Sequence, residues 1–254
     1  MIKAITFDLW DTMIVDESDE PARAARGLGT KVADRRRLVH EALGGDAAIA
    51  RETVALAYDV ADAAFNKVWK EHHVTWTLRE RLRVLLDGLG RDLPENVFDR
   101  LVEAQEVMEI EVPPDPVEGI AEALADLNRR YKLCVISDTI VSPGRVLRRL
   151  LAHHGLEQYF TAFVFSDEIG CSKPDPRMFH AAAERLGVDP SAMVHIGDRD
   201  HNDVKGPQAL GMKAVLFAGV RANDEATTSA DAICRRHADL PAIIDRLAGG
   251  EGGR

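Results

Sequence analysis

Hydrophobic and polar positions follow two periods that alternate along most of the chain. Short apolar runs, which predict buried strands, lie at Ala4–Phe7, Leu133–Ile136, Ala162–Phe165, Met193–Ile196 and Ala214–Phe217. From the second run onward, each run is followed by a helical pattern, at Gly144–His154, Arg177–Leu186, Asp203–Leu210 and Leu240–Leu247. Alternating strands and helices of this kind predict an α/β fold in which helices cover both faces of a parallel sheet.

The interval between the first and second strands is too long for a simple crossover. About 120 residues separate Asp8 from Leu133, whereas a parallel crossover needs only about a dozen. Helical patterns fill the interval, at Ala48–Glu71, Leu78–Leu89 and Asn96–Glu109, and the run Pro113–Pro116 ends them. We therefore predict an all-helical domain at 15–112, inserted into a core domain formed by 1–14 and 113–254.

Two further segments lack a regular pattern. Asp16–Gly29 is polar and charged, and we predict either an ordered lid loop or a loose linker there. Gly249–Arg254 is rich in glycine and is predicted to be a frayed tail.

The charge balance and the cysteines narrow the class of partner. The formal net charge is -10, and the basic runs Arg35–Arg37 and Arg235–Arg236 are isolated, which argues against nucleic acid. No apolar run reaches the roughly 18 residues of a membrane span, and the chain enters its first strand with no room for a signal peptide. The cysteines Cys134, Cys171 and Cys234 are scattered, as is typical of reduced thiols. We expect a cytoplasmic protein without a nucleic-acid or membrane partner.

Polar side chains follow the predicted strands, where open α/β sheets place their ligands. Asp8 comes directly after the first strand and is a candidate nucleophile, with Thr12 near enough to hydrogen-bond its loop or a bound oxyanion. Ser137 follows the second strand and is a candidate contact for a phosphoryl oxygen. Lys173 precedes a helix that starts with proline, and offers a fixed positive charge that orients Asp8 and offsets developing charge.

A pair of acids follows the fourth strand. Asp198 and Asp203 lie five residues apart, after a strand and at the start of a helical pattern. Carboxylate oxygens in this placement suit an octahedral Mg²⁺ site. Each element alone has an ordinary structural explanation, such as a turn serine, a surface lysine or a helix-capping acid. Their order and their shared position at strand ends favour a single site.

This ordered set resembles the haloacid dehalogenase superfamily, in the branch that carries a helical cap between its first and second motifs. The resemblance covers nearly the whole chain. It implies a Rossmann-like three-layer core, a mobile cap and catalysis through an aspartyl intermediate. Most members of that superfamily are Mg²⁺-dependent phosphatases that act on small molecules, so we expect a small, anionic substrate.

The resemblance also implies a role for each motif residue. Asp8 is the nucleophile, and its carboxylate and the backbone carbonyl of Trp10 bind Mg²⁺. The further metal ligands, direct or through water, are Asp198 and Asp203. The catalytic set is Asp8, Thr12, Ser137 and Lys173, and the substrate contacts are Asp8, Trp10, Ser137, Asp138 and Lys173.

One position departs from the pattern of the superfamily. Its phosphatases usually carry a second aspartate two residues after the nucleophile, as general acid and base, and here that residue is Trp10. General acid catalysis contributes on the order of 10²–10⁴-fold, so its loss penalises poor leaving groups most. Activated esters and acyl phosphates need it least. Asp11, Asp200 and His201 are the candidates to replace it.

Three functional hypotheses remain open. A phosphatase is favoured because the acid pair of the fourth motif is present. A 2-haloacid dehalogenase is the alternative, because such enzymes carry an aromatic residue at the Trp10 position, attack through the same aspartate and need no metal. A non-catalytic binding or regulatory protein is the third. The sequence does not predict the oligomeric state.

The densest aromatic and polar cluster of the helical segment is Trp69, His72, His73, Trp76 and Arg79. If one helix extends through it, Trp69, His72 and Trp76 share a face, which would then close over a substrate. The alternative, which burial preferences favour, is that the tryptophans pack the helical core.

Overall fold

The computed structural model describes residues 1–249. The strands are β1 (Ala4–Phe7), β2 (Lys132–Ser137), β3 (Ala162–Phe165), β4 (Met193–Gly197), β5 (Lys213–Phe217) and β6 (Ala232–Cys234). The α-helices are α1 (Glu20–Ala25), α2 (Lys31–Ala42), α3 (Arg51–His72), α4 (Leu78–Gly88), α5 (Glu95–Glu106), α6 (Met108–Glu111), α7 (Ile120–Leu127), α8 (Gly144–His153), α9 (Ser166–Ile169), α10 (Pro176–Leu186), α11 (Gly206–Gln208) and α12 (Leu240–Gly249). Short 3₁₀ turns lie at Gly45–Ala47, Glu157–Tyr159, Pro190–Ala192 and His237–Asp239, and a π-helical turn lies at Asp200–Lys205. Gly249 ends α12, and the rest of the predicted tail lies outside the described residues.

The strands form one sheet in the order β3-β2-β1-β4-β5-β6, and all neighbouring pairs are parallel. The direction of winding reverses between β1 and β4, so a crevice opens at the carboxyl ends of these two strands. The predicted α/β fold with a Rossmann-like parallel sheet is confirmed. Asp8 and Asp198, the residues that directly follow β1 and β4, therefore flank the crevice.

All five predicted strands form, two of them with the predicted bounds, Ala4–Phe7 and Ala162–Phe165. β6 was not predicted, because its three residues are too few to show a period. The single helix predicted over Asp203–Leu210 is wrong in form: a π-helical turn at Asp200–Lys205 precedes the short α11. Pro207 explains the difference, because it has no amide hydrogen to continue a regular helical ladder.

The chain divides into two compact units. The α/β unit comprises Met1–Asp16, Asp115–Asp138 and the chain from Leu151 onward, and the helical unit comprises Glu17–Pro114 and Thr139–Leu150. The segment Thr139–Leu150 differs from the sequence-based division, which assigned it to the core domain. Within the helical unit, the Ser142 hydroxyl donates to the Glu106 carbonyl over 2.7 Å, and Val141 packs on the unit's apolar core.

Each unit has its own apolar core. Strands β1 and β4 are buried along their whole length, as expected for central strands of a parallel sheet. The helical unit packs one face each of α3, α4 and α5 around Phe98 and Leu82. The polar segment after Asp16 is ordered and contains α1, in which the Arg23 guanidinium pairs with Asp34 over 2.6 Å.

The start of α10 determines where Lys173 lies. The Asp175 side chain accepts a hydrogen bond from the Arg177 amide over 2.9 Å, and Pro176 occupies the first turn, where its missing amide hydrogen costs nothing. At the other end, Gly187 adopts a φ of 62°, a left-handed conformation that glycine favours. The loop before α10 is thus anchored two residues beyond Lys173.

The three cysteines fit the expectation of reduced thiols. Cys134, Cys171 and Cys234 are free and all three are buried. Among residues 1–249, every helix is either too short or too polar to be a candidate membrane span.

His237 supports the loop that carries Thr12. Its Nε2–H donates to the Thr12 carbonyl over 2.7 Å, and its ring stacks on Phe217 with centroids 4.2 Å apart. The side chain is fully buried. Burial lowers the pKa of His237 to about 4, although the hydrogen bond to Thr12 opposes the shift.

This histidine predicts a pH dependence of stability. Between about pH 6.5 and pH 4 the unfolded chain takes up a proton at His237 that the folded protein excludes, so the free energy of unfolding falls as the pH falls. The contribution is complete above the unfolded pKa and amounts to about 3 kcal/mol. Urea unfolding of wild type and His237→Gln across this window isolates it, because the carboxylates titrate in both proteins. Parallel curves for the two proteins would contradict the assignment.

Candidate active site

The motif residues of the α/β unit converge at the carboxyl edge of the sheet. β1 pairs with β2 on one side and β4 on the other, so Asp8, Ser137 and Asp198 occur at the ends of adjacent strands. The Asp8 amide donates to the Ile196 carbonyl over 2.8 Å, which continues the ladder to the nucleophile candidate itself. Asp8 is only 7% exposed.

Lys173 joins two of the acids. Its Nζ lies 2.6 Å from Asp8 Oδ1 and 2.6 Å from Asp203 Oδ1, and its side chain is 2% exposed. Burial opposes the charged form of Lys173, but the charges of Asp203 and Asp8 outweigh it and raise its pKa. The ammonium is therefore a permanent positive charge between two buried carboxylates.

Asp203 is the most strongly held acid. Burial alone would raise its pKa, but the charge of Lys173 and a hydrogen bond from His195 outweigh burial, so the pKa of Asp203 lies well below its usual value. Its Oδ2 accepts the Arg199 amide over 3.0 Å, and His195 Nε2 lies 3.1 Å from its Oδ1.

His195 was not identified from the sequence. It lies on β4 in register with Thr6 of β1, and the Thr6 hydroxyl lies 2.8 Å from His195 Nδ1. Burial lowers the pKa of His195, so the neutral ring accepts from Thr6 and donates from Nε2 to Asp203. The sequence signal that could have identified His195 is that it and Thr6 are polar residues in two strands that are otherwise apolar.

Gly197 makes the position of Asp203 possible. A Cβ atom at residue 197 would lie 2.4 Å from Cγ of Asp203 and 2.5 Å from its Cβ. Both distances are far below van der Waals contact. Only glycine allows the carboxylate of Asp203 to turn back over the end of β4.

Asp8, Asp198 and Asp203 form a candidate metal centre. Each offers a carboxylate oxygen, these oxygens lie within 4.8 Å of one another, and all three residues are buried. Burial, together with the charges of Asp8 and Asp203, raises the pKa of Asp198 to about 7, and burial raises that of Asp8 despite Lys173. Crowded carboxylates that resist ionisation fit a hard divalent cation such as Mg²⁺, which oxygen ligands suit best.

Asp138 and Ser137 lie beside this cluster. Asp138 Oδ1 accepts the Lys173 amide over 2.8 Å, and its Oδ2 lies 3.4 Å from Asn202 Nδ2. Burial raises the pKa of Asp138 to about 7. The buried Ser137 hydroxyl donates to the Asp138 carbonyl over 3.3 Å, and Thr12 Oγ1 lies 3.5 Å from Asp8 Oδ2. The structure thus brings together the side chains of the predicted motifs.

Arg221 was also missed by the sequence analysis. Its guanidinium Nη1 lies 3.0 Å from Asp198 Oδ2. It comes from the loop after β5, which carries no motif of its own, so no sequence signal singled it out.

Two of the three candidates to replace an acid at position 10 are engaged elsewhere. Asp11 has a left-handed φ of 53°, and its Oδ1 accepts the Asp16 amide over 3.1 Å. Asp200 Oδ1 accepts the Thr228 hydroxyl over 2.6 Å, while its Oδ2 pairs with Lys205 over 2.7 Å.

The aromatic cluster of the helical unit does not share one helical face. Helix α3 ends at His72, and His73 adopts a left-handed φ of 53°, so Trp76 lies beyond the helix. The rings of Trp69 and Trp76 both pack near Phe65, with centroids 6.2 Å and 6.5 Å from it. The structure supports the packing alternative for the tryptophans.

Comparisons with known proteins agree on one family. A family model described as haloacid dehalogenase-like hydrolase matches residues 2–211. The mouse haloacid dehalogenase-like hydrolase domain-containing protein 3 is 35% identical over 132 residues, which are 52% of this chain and 50% of that protein. The glyceraldehyde 3-phosphate phosphatase of Methanothermobacter thermautotrophicus is 28% identical over 218 residues, 85% of each chain.

A solved structure of a 2-haloacid dehalogenase from Pseudomonas syringae pv. Tomato has a TM-score of 0.65, with 23% identity over 97% of this chain and all of that one. This likeness shows the fold alone. The chain spans about half the length of the first curated relatives that it matches.

The close approach of Gly197 and Asp203 generates a prediction. We expect Gly197→Ala to displace the Asp203 carboxylate, and so to weaken Mg²⁺ binding at least tenfold and to destabilise the fold by roughly 1–3 kcal/mol, the usual cost of overpacking. Isothermal titration with MgCl₂ and a thermal melt measure the two effects.

Gly88→Ala is the matched control, because a Cβ atom at residue 88 would meet nothing within 4 Å and the φ of Gly88 is not left-handed. It should bind Mg²⁺ as wild type does. Wild-type affinity in Gly197→Ala would remove Asp203 from the metal centre.

Proposed function

Since this chain belongs to the haloacid dehalogenase-like hydrolases, we propose that it is a Mg²⁺-dependent phosphatase that acts on a small phosphorylated metabolite through an aspartyl-phosphate on Asp8. The observation that carries the proposal is the buried Asp8 carboxylate, held by Lys173 beside two further acids. A metal-independent displacement would not need the two further acids. Phosphoryl transfer does need positive charge around the transferred group.

The proposed reaction has two steps. A carboxylate oxygen of Asp8 attacks phosphorus, the bond to the leaving oxygen breaks, and that oxygen departs with the electron pair. Water then attacks the phosphorus of the aspartyl-phosphate, releases inorganic phosphate and restores the carboxylate of Asp8. Lys173 opposes the effect of burial on the pKa of Asp8 and, with the Ser137 hydroxyl, would offset charge on the phosphoryl oxygens.

Asp8, Asp198 and Asp203 would hold the metal ion, with the backbone carbonyl of Trp10 as a further ligand. When bound, Mg²⁺ supplies positive charge that screens the substrate's anionic oxygens from the acids. Lys173 remains necessary beside it, because its ammonium already compensates Asp8 and Asp203 in the folded protein.

The leaving group limits the substrate. Trp10 occupies the position of the usual acid, and the carboxylates of Asp11 and Asp200 are held by other partners. A leaving oxygen that needs no protonation therefore suits this site, as in an acyl phosphate or an activated ester. We propose a substrate of that class.

The relatives support the general substrate type. One of them is named a glyceraldehyde 3-phosphate phosphatase, so its substrate is a small phosphorylated molecule.

The helical unit would serve as the cap that the superfamily resemblance implies. The three free, buried thiols are compatible with the cytoplasmic location that we propose.

Halide displacement is the second candidate function. The observation that favours it is Trp10, an aromatic residue where an acid would be needed only for an oxygen leaving group. The attack by Asp8 is the same, but halide leaves without a proton and no metal is required. The acid cluster of Asp8, Asp198 and Asp203 weighs against this candidate.

An assay with two substrate classes tests the proposal. We expect phosphate release from para-nitrophenyl phosphate and acetyl phosphate to require Mg²⁺, to stop with EDTA, and to fall at least about a thousandfold in Asp8→Asn, because the nucleophile is lost. Asp11→Asn is the matched control, and it should keep wild-type turnover because Asp11 caps the Asp16 amide instead.

Two other results would contradict the proposal of phosphatase activity. Chloride release from 2-chloropropionate in the presence of EDTA would assign the chain to halide displacement. Failure to turn over either class, with Mg²⁺ still bound, would favour the non-catalytic alternative.

A further inference from the structure

The helical unit contains a cavity of about 130 Å³. It lies between α2, α3, α4 and the segment that contains Ile140, all within the helical unit. Its lining includes two arginines, Arg35 and Arg81, together with Asp62 and the aromatic rings of Tyr58 and Phe65. The nucleophile and its partners belong to the other unit.

Arg81 is buried and incompletely paired. Its side chain is 6% exposed, its guanidinium lies 4.5 Å from the centre of the Phe65 ring, and one Nη donates to the Ile140 carbonyl over 2.6 Å. The contact to Asp62 is long, at 3.4 Å, and the buried Nε has no partner among the described residues. A buried donor without a partner destabilises the folded protein, and a charged donor does so more strongly.

Arg35 repeats this arrangement on α2. Its side chain is 14% exposed, and its Nη2 lies 3.7 Å from Glu109 Oε1. Within residues 1–249 its buried Nε also lacks a partner. Two guanidinium groups therefore line the cavity, and Asp62 is the acid that lines it with them. The Tyr58 hydroxyl adds no negative charge, because burial raises the pKa of Tyr58 to about 12.

The size of the cavity limits the ligand. Pockets for drug-sized molecules are about 300–1,000 Å³, so the cavity of about 130 Å³ is too small for a nucleotide or a sugar. It has room for roughly four water molecules, at about 30 Å³ each. A carboxylate or phosphate group is of this size, and the planar fork of arginine matches its oxygens.

We propose that this cavity is a binding site for a small oxyanion, a carboxylate or phosphate group, held by Arg35 and Arg81. The ligand supplies acceptors to the two unpartnered Nε–H groups. The proposal does not depend on the reaction proposed for Asp8.

Tryptophan fluorescence gives a local readout of binding. Trp69 and Trp76 pack against Phe65, which lines the cavity, and Trp10 in the other unit is removed by Trp10→Phe. We expect a saturable change with sodium phosphate at constant ionic strength, and an apparent Kd at least tenfold higher in Arg81→Gln and in Arg35→Gln.

Arg83→Gln is the matched control. Arg83 also lies on α4 and also covers a ring, Phe98 at 3.8 Å, but its ion pairs with Asp92 and Glu95 are outside the cavity. It should bind phosphate as the Trp10→Phe background does. Equal effects of Arg81→Gln and Arg83→Gln, or a response that follows ionic strength without saturation, would overturn the proposal.

Two further measurements keep the proposal testable. If a variant does not fold, the arginine Nε–H resonances of the ¹⁵N-labelled protein provide the readout, and two buried signals should shift with phosphate; unmoved signals would overturn it. Phenylphosphonate distinguishes the sources of the ligand. Tighter binding than inorganic phosphate assigns the site to an oxyanion on an organic molecule, and equal or weaker binding assigns it to the free ion.

Discussion

The ammonium of Lys173 is the interaction on which the candidate active site depends. It lies 2.6 Å from one oxygen of Asp8 and 2.6 Å from one oxygen of Asp203, away from water. Removing one partner of a buried ion pair costs about 3–5 kcal/mol. Loss of the Lys173 ammonium would therefore destabilise the folded protein by leaving two acids without their partner. The same contacts oppose the effect of burial on the pKa of both carboxylates and hold them beside one ammonium group.

Several features of the α/β unit hold this arrangement. The capped start of α10 fixes the loop of Lys173, Gly197 leaves space for Asp203, and neutral His195 connects Asp203 to Thr6 on the next strand. Each acts on Asp203 or Lys173 and not on Asp8. The second carboxylate oxygen of the nucleophile candidate, Oδ2, lies 3.5 Å from the Thr12 hydroxyl.

Local sequence patterns were sufficient to predict the site residues at the strand ends, but not the residues that contact them. Asp8, Ser137 and Asp198 were predictable because each lies at the end of a short apolar run, with only Gly197 between Asp198 and its run. His195 and Arg221 were not, because a single histidine in a strand and an arginine in a loop acquire meaning only from their partners, Asp203 and Asp198.

The helical unit shows the same limit. Its helices could be predicted from their apolar spacing, but the assignment of Thr139–Leu150 depends on the packing of Val141 and on the hydrogen bond of Ser142, which are non-local. The helix that would have to extend to Trp76 for it to share a face with Trp69 ends at His72. The pairing of Arg35 with Arg81 around one cavity joins residues of two different helices, and no spacing within either helix reveals it.

The proposed reaction transfers a phosphoryl group to Asp8 without an acid at the position of Trp10. The most direct test is kcat/KM for a series of aryl phosphates that differ only in the pKa of the leaving phenol, because this ratio reports the first attack. We expect log kcat/KM to fall steeply as the pKa of the phenol rises, since the leaving oxygen departs unprotonated. A rate that is independent of that pKa would indicate that a proton is donated to the leaving oxygen, and would contradict the proposed reaction.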